Sequence, residues 1–241
     1  MRKSKLRDRL LKLLYVPKCV SCQTRLSAES EIPLCSECRE KWENEKRALC
    51  PKCGQQIENC WCGIMDDVDG IIEREVHLAA YTQNPDSVGR KIILSSKYRN
   101  NVMLFDMLAD ELTEAVMRLG FDESAILVYV PRGKKNLKKF GHDQSEEIAK
   151  RLSRKTGMPL VVCLVNKGKS QQKTLTHAQR KENAKRSFLF DKEMKDSVRD
   201  KNVILFDDLV TTGATVTRCA VLLKRYRAKS VCVLSVGKTA K

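Results

Sequence analysis

From residue 67 onward, short apolar runs alternate with segments of helical periodicity. Uninterrupted apolar runs are typical of strands buried on both faces of a sheet. The predicted strands are Glu73–Ala80, Ala125–Val130, Leu160–Val165, Val203–Phe206 and Val231–Val236. The predicted helices are Ser87–Ser96, Met103–Leu119, Asp143–Lys155 and Ala214–Arg225. Strands that alternate with helices predict an α/β domain over residues 67–241, with a mostly parallel sheet flanked by helices.

The first 66 residues have a different pattern, dominated by cysteine. Eight of the 11 cysteines fall there, as three C-x2-C pairs and one C-x-C pair: Cys19, Cys22, Cys35, Cys38, Cys50, Cys53, Cys60 and Cys62. Two such pairs on opposed loops can place four sulfurs around Zn2+, and eight sulfurs suffice for two structural sites. Residues 1–66 are therefore predicted to form an N-terminal amphipathic helix followed by a small cysteine-rich zinc module.

Metal binding also explains how so small a segment folds, because its few apolar residues make only a minor core. A redox C-x2-C pair fits less well, since four cysteine pairs cluster here without a βαβ pattern. An iron–sulfur cluster would use the same thiolates and stays open at this point. Cys163, Cys219 and Cys232 lie in apolar or helical contexts and are expected to be core residues.

Charge is distributed unevenly along the chain. The formal net charge is +16, and residues 131–190 alone carry 16 Lys and Arg against 4 Asp and Glu, a net of +12. This segment is expected to attract phosphates, pyrophosphate or nucleic acid, although a solvated lysine-rich surface would have the same composition. No apolar stretch is long enough to span a membrane, and the basic N-terminus lacks a cleavage site. The sequence thus predicts a cytoplasmic protein with reduced cysteines.

The segment after the Val203–Phe206 strand carries the most specific chemistry. Two carboxylates, Asp207 and Asp208, end the strand, and a short Thr- and Gly-rich turn precedes the next helix. Free amides at a helix start can bind a phosphate monoester, and Gly213 permits close approach of the backbone. The two carboxylates can accept hydrogen bonds from ribose hydroxyls or hold hydrated Mg2+. The predicted phosphate-binding residues are Thr211, Thr212, Gly213, Ala214 and Thr215.

A simple strand-to-helix turn with a threonine N-cap would explain one of these threonines. It would not explain two carboxylates followed by the complete T-T-G-A-T string. The chain also lacks the glycine-rich motifs of nucleoside triphosphate and dinucleotide sites. A phosphorylated sugar is therefore the favoured ligand.

Residues 205–215 resemble the phosphoribosyl-pyrophosphate motif of type I phosphoribosyltransferases. The chain as a whole resembles the ComF family, through the Leu10–Cys22 entry to the cysteine module, the Lys97–Arg99 segment and the Gln172–Phe188 stretch. The resemblance implies that Asp207 and Asp208 hold the ribose hydroxyls and catalyse any reaction. It implies a pyrophosphate loop formed by Pro131, Arg132, Gly133 and Lys134, and a basic lid carrying Lys173 and Arg180.

One departure from the family pattern lies a few residues after the predicted pyrophosphate loop. Where the family often has R-G-F-N-Q, this chain has Phe140-Gly141-His142-Asp143-Gln144. Gln144 is retained but the order of the preceding residues is changed. This difference argues against efficient transfer chemistry.

The resemblance leaves three functions open. The first is a protein of DNA uptake and natural transformation that binds phosphoribosyl pyrophosphate and single-stranded DNA, with contacts mainly to phosphates because aromatic residues are few. The second is an active phosphoribosyltransferase of nucleotide metabolism that uses Mg2+ and releases pyrophosphate, although no acceptor or general base is evident. The third is an adaptor whose zinc module docks onto a helicase-type partner.

Overall fold

A computed structural model describes residues 16–50, 54–56, 70–118, 120–121, 124–168 and 186–239. Beyond residue 70, strands and helices alternate as the apolar pattern predicts. The elements in chain order are α1 (Ser36–Lys46), β1 (Arg74–Tyr81), α2 (Val88–Tyr98), α3 (Val102–Arg118), β2 (Ile126–Tyr129), α4 (Lys134–Phe140), α5 (Gln144–Thr156), β3 (Leu164–Asn166), β4 (Phe188–Phe190), a 3-10 helix (Lys192–Met194), α6 (Lys195–Val198), β5 (Asn202–Val210), α7 (Ala214–Arg225) and β6 (Ser230–Thr239).

Four parallel strands form the central sheet in the order β1-β6-β5-β2. Alternate side chains of β5 enter two different clusters. Ile204 and Phe206 pack with α2, α3 and α5, whereas Val203 and Leu205 pack with α7. Burial on both faces explains why this strand is apolar without alternation. The predicted parallel sheet flanked by helices is confirmed.

The predicted strand over 160–165 is only partly formed. Leu160 makes a single parallel bridge with Leu127 at the edge of the sheet. The chain then leaves the sheet, and β3 pairs antiparallel with β4 as a separate ribbon. Periodicity identified the buried segment but could not show which neighbour it would pair with.

Among the described residues, three α-helices, α1, α4 and α6, and the 3-10 helix were not predicted from the sequence. Helix α1 lies inside the cysteine module, and α4 has the sequence KKNLKKF with no buried residue. A helix without an apolar stripe gives no periodic signal.

The cysteine module and the α/β domain share one core. Val20, Leu34 and Trp42 from the module belong to the same apolar cluster as Val76 and Ile92 from the domain. The predicted boundary between residues 66 and 67 lies outside the described residues. Among the described helices, none is both long and apolar enough to cross a membrane.

The sheet brings three segments together at the carboxyl ends of its strands. The Val130 amide donates to the Phe206 carbonyl over 2.9 Å, so the turn that follows β2 begins beside the residue that precedes Asp207 and Asp208 in β5. The end of α2 reaches the same place, where Lys97 lies 3.4 Å from Asp208. Ligands of parallel sheets bind at such edges.

Candidate functional site

Two adjacent carboxylates of β5, Asp207 and Asp208, lie at the centre of this edge. Asp208 is only 5% exposed. Its Oδ2 accepts a hydrogen bond from Gln144 Nε2 at 3.0 Å and lies 3.4 Å from Lys97 Nζ. Asp207 is half-buried, and its Oδ1 accepts from the Asp208 amide at 2.9 Å. Within the described residues, Asp208 is thus fixed by two side chains, while Asp207 has only a hydrogen bond to the backbone.

The electrostatics of the pair follow from this difference. Burial, and then the neighbouring charge of Asp208, raise the pKa of Asp207 well above its ordinary value. Burial alone would lower the pKa of Lys97, but the charges of Asp208 and Asp207 outweigh it and raise that pKa. The site therefore holds one ammonium between two acidic groups.

The turn after β5 presents backbone donors beside the carboxylates. Gly213 has φ +88°, a conformation that favours glycine, and it precedes α7 as its N-cap. Thr212 is buried, and its Oγ1 accepts from the Ala214 amide at 3.3 Å. In the described part of the chain, no acceptor is bonded to the amides of Thr211, Thr212, Gly213, Thr215 and Val216. Unpaired amides at a helix start are suited to an anion.

Gln144 is a site residue that the sequence argument noted but did not place. It is 7% exposed, and its Oε1 is buried without a partner among the described residues, although its Nε2 is bonded to Asp208. An unpaired buried acceptor costs about 1–3 kcal/mol. Lys97 was likewise not placed in the site. In the sequence, Gln144 and Lys97 were noted only because they resemble positions of the ComF family.

The loop predicted to bind pyrophosphate is already heavily bonded. The Arg132 amide donates to Asp143 Oδ2 at 2.6 Å, and the Arg132 guanidinium donates to the Lys97 and His142 carbonyls at 2.8 and 3.1 Å. The Pro131 carbonyl accepts from Asn166 at 3.1 Å. Gly133 is the N-cap of α4, and Lys134 begins that helix as an exposed residue. Arg132 therefore acts first as a brace for the end of α2.

A second cluster lies in the cysteine module. The sulfurs of Cys19, Cys22, Cys35 and Cys38 all lie within 4.8 Å of one another, with 3.6 Å between Cys22 and Cys35. Zinc with Zn–S bonds of about 2.3 Å requires sulfurs about 3.8 Å apart, so the four thiols fit a tetrahedral ion. When bound, zinc would deprotonate and cross-link the four thiols. The sequence left open which cysteines share a metal ion. The structure groups the first two C-x2-C pairs in one site.

The loop at Cys50 repeats the backbone geometry of the loop at Cys19. The Cys19 carbonyl accepts from the Gln23 amide at 3.0 Å, and the Cys50 carbonyl accepts from the Gly54 amide at 2.9 Å. Gln23 and Gly54 both have positive φ, at +65° and +72°. The shared hydrogen bond and the shared positive φ indicate that the first zinc knuckle is duplicated. The other predicted ligands of that half, Cys53, Cys60 and Cys62, lie outside the described residues, as do the predicted lid residues Lys173 and Arg180.

Comparison with known proteins matches both parts of the chain. Residues 142–240 match the phosphoribosyl transferase domain family, and residues 10–66 match the double zinc ribbon domain. A structural zinc module, as predicted, is thereby supported by its family match and by the four clustered sulfurs.

Similar proteins are also found along most of the chain. Competence protein ComFC of Bacillus subtilis is 26% identical over 82% of this chain and 81% of its own. DNA utilization protein YhgH of Escherichia coli is 27% identical over 94% of this chain and 100% of its own. Among solved structures, the glutamine phosphoribosylpyrophosphate amidotransferase of B. subtilis is 17% identical over 59% of this chain and 30% of that chain, with a TM-score of 0.40.

The relatives therefore extend across both the zinc ribbon and the phosphoribosyltransferase-type domain. This order of parts, with the acidic pair at the end of β5, agrees with the resemblance seen in the sequence. Together, these matches support the assignment of the chain to the ComF family.

Proposed function

We propose that this protein acts in the cytoplasm in DNA uptake and natural transformation, where it binds phosphoribosyl pyrophosphate or ribose 5-phosphate together with single-stranded DNA. The names of its relatives, a competence protein and a DNA utilization protein, support the cellular role. The observation that carries the ligand is the set of unpaired amides at the start of α7, directly beside Asp207 and Asp208.

The proposed ligand matches the site group by group. The 5-phosphate is held by the amides of residues 211–216, where the positive end of the α7 dipole favours a dianion. Two ribose hydroxyls donate to Asp207 and to the unpaired Oε1 of Gln144. The fixed Asp208–Lys97 pair orients Gln144 and keeps the edge of the site charged. Mg2+ would bind through the pyrophosphate and Asp207, as hard oxygen ligands suit it.

The hydrogen bonds of Arg132 favour a protein that binds phosphoribosyl pyrophosphate without transferring its phosphoribosyl group efficiently. Transfer would need cationic groups aimed at the departing pyrophosphate. The Arg132 guanidinium, the expected counter-charge, is instead bonded to two backbone carbonyls of its own protein. The alternative, an active phosphoribosyltransferase, predicts release of pyrophosphate with a base or amine acceptor. Turnover at rates typical of enzymes, about 1–1000 per second, would favour that alternative.

Isothermal calorimetry tests the ligand. Wild-type protein is expected to bind ribose 5-phosphate and, with Mg2+, phosphoribosyl pyrophosphate. Gly213→Ala is expected to bind each ligand about ten-fold more weakly, because an alanine at φ +88° is strained and reshapes the turn. Gly157→Ala has a similar positive φ of +75° at the distant end of α5 and serves as the control. Absence of binding by wild type would refute the proposal.

A basic surface beside the site is the proposed contact for single-stranded DNA. Helix α4 exposes Lys134, Lys135, Lys138 and Lys139 and carries no acidic residue. Next to it, Tyr98 is 50% exposed, and its ring lies 5.1 Å from that of Phe140. Exposed aromatic rings among cations are suited to stacking with unpaired bases. Although aromatic residues are few, the fold brings two of them together on this surface.

DNA binding is expected to weaken steeply as salt is added, because phosphate contacts release counterions. Lys134→Gln/Lys138→Gln should reduce the slope of log affinity against log salt by about 2. Fluorescence anisotropy of a labelled oligothymidine measures this slope. The matched control is Lys192→Gln/Lys195→Gln, which changes two exposed lysines of the 3-10 helix and α6. A complex insensitive to salt would contradict the assignment.

A further inference from the structure

Helix α2 connects the zinc module to the candidate ligand site. Its first turn contacts α1 of the module, and its last turn carries Lys97 to Asp208. We propose that Glu45 of the zinc module is a positioning residue for this site: it fixes the start of α2 and so holds Lys97 against Asp208. The functional part of this inference rests on the proposed sugar-phosphate ligand.

The first contact is a carboxylate cap supplied from outside the helix. Glu45 Oε1 accepts from the Val88 amide at 2.7 Å, and Oε2 accepts from the Gly89 amide at 2.8 Å and from the Ser87 hydroxyl at 2.9 Å. The first amides of a helix have no partner within the helix, and an anion there also interacts favourably with the helix dipole. Three bonds from one side chain fix both the position and the direction of α2.

The second contact allows no side chain between the two helices. A Cβ atom on Gly89 would lie 2.9 Å from Trp42 Cζ3 and 2.9 Å from Glu45 Oε2. Trp42 is 1% exposed, and its Nε1 donates to Glu111 of α3 at 2.9 Å, so the ring cannot easily move aside. Helix α1 is therefore locked against the start of α2.

The other end of α2 is held at the ligand site. The Ser96 carbonyl lies 2.9 Å from His142 Nε2, and the Lys97 carbonyl accepts from Arg132 at 2.8 Å. Between the ends, the helix lies so close to β6 that a Cβ on Gly237 would be 2.7 Å from Ile93. An 11-residue helix is about 16 Å long and rigid, so a displacement of its start also changes its end.

Helix α1 carries both a predicted zinc ligand and Glu45. Cys38, one of the four clustered thiols, lies two turns before Glu45 on the same helix. Zinc held by these thiols would fix the first turn of α1, and Glu45 in the last turn of α1 fixes the start of α2. The ligand site is thereby coupled to α1, a helix that does not itself line the site.

A double-mutant cycle tests this coupling through ribose 5-phosphate affinity. Glu45→Gln is expected to weaken binding about five-fold, and Lys97→Met about ten-fold. The double variant should bind no more weakly than Lys97→Met, because Glu45 acts through Lys97. Glu40→Gln, an exposed residue of the same helix, should match wild type. Unchanged affinity in Glu45→Gln, or losses that multiply in the double variant, would overturn the inference.

A measurement without ligand separates this inference from the proposed function. Acylation of Lys97 by an amine-reactive reagent, followed by peptide mass spectrometry, is expected to be at least three-fold faster in Glu45→Gln than in wild type. Lys150, which is 51% exposed on α5, should react equally in both proteins. Faster labelling without any sugar-phosphate binding would support the positioning role and refute the ligand. Equal labelling of Lys97 in both proteins would refute the positioning role.

Discussion

Removal of zinc is expected to unfold the cysteine module and to destabilise the whole protein. Structural zinc contributes about 10–16 kcal/mol to the folding of small zinc peptides, far more than the few apolar side chains of this module can supply. The module also carries Trp42 in the shared core and the Glu45 cap of α2. A chelator should therefore lower the melting temperature of the α/β domain as well.

The number of bound zinc ions in cysteine variants identifies which cysteines bind the metal. Native mass spectrometry is expected to find two zinc ions in wild type and one in Cys38→Ser, since the duplicated turn at Cys50 predicts a second site. Cys163→Ser is the control. Burial raises the pKa of the Cys163 thiol to about 12, and it is not among the four clustered thiols. Full metal content in Cys38→Ser would exclude the assigned site.

Replacing Asp207 by Asn is expected to stabilise the protein at neutral pH and to abolish its ligand binding. Burial and the charge of Asp208 raise the pKa of Asp207, so the fold favours the neutral acid. Asparagine stays uncharged and keeps the oxygen that accepts from the Asp208 amide. The expected gain at pH 7 is about 1–3 kcal/mol, the typical cost of a buried and poorly paired polar group. The other carboxylate oxygen, the proposed acceptor for a ribose hydroxyl, becomes an NH2 group, and this should weaken ligand binding at least 100-fold, or about 2.7 kcal/mol.

The stabilisation by Asp207→Asn is expected to depend on pH. Because the pKa is raised on folding, the contribution of Asp207 to stability is fully present below its unfolded value of about 3.9 and is lost as pH rises through the folded value. The difference between Asp207→Asn and wild type should therefore vanish near pH 3 and grow toward pH 8. Urea unfolding at several pH values measures it. Asp196→Asn, an exposed residue of α6, should change stability little at any pH. Destabilisation by Asp207→Asn at pH 7 would contradict the proposed electrostatics.

The local features of this protein were predictable because their signals lie within a few residues of one another. The spacing of the eight N-terminal cysteines predicted that thiols converge on a metal, and the structure brings Cys19, Cys22, Cys35 and Cys38 together, a grouping that the spacing had left open. The run from Val203 to Thr215 predicted a strand, a turn and a helix, and β5 and α7 follow that order. The end of β5 was predicted four residues too early: Asp207 pairs with Ser235, and the strand continues to Val210.

The surroundings of the site were not predictable in the same way. Apolar patterns state that a segment is buried, but they do not state which segment lies beside it. Gln144 and Lys97 lie 64 and 111 positions before Asp208, and only the parallel sheet brings them to it. The sequence also could not show that the Arg132 guanidinium, which was expected to bind pyrophosphate, donates to the carbonyls of Lys97 and His142, because these residues are not its neighbours in the chain.

The sequence by itself determined the cysteine-rich module, the parallel α/β architecture and the acidic strand segment that leads through a Thr- and Gly-rich turn into a helix, because each depends on short spacings and local periodicity. Only the tertiary structure decided which groups surround the acidic pair and how the zinc module is joined to it through Glu45 and α2. Those contacts join residues distant in the chain, and close packing around Gly89 and Gly237, rather than any local preference, sets them.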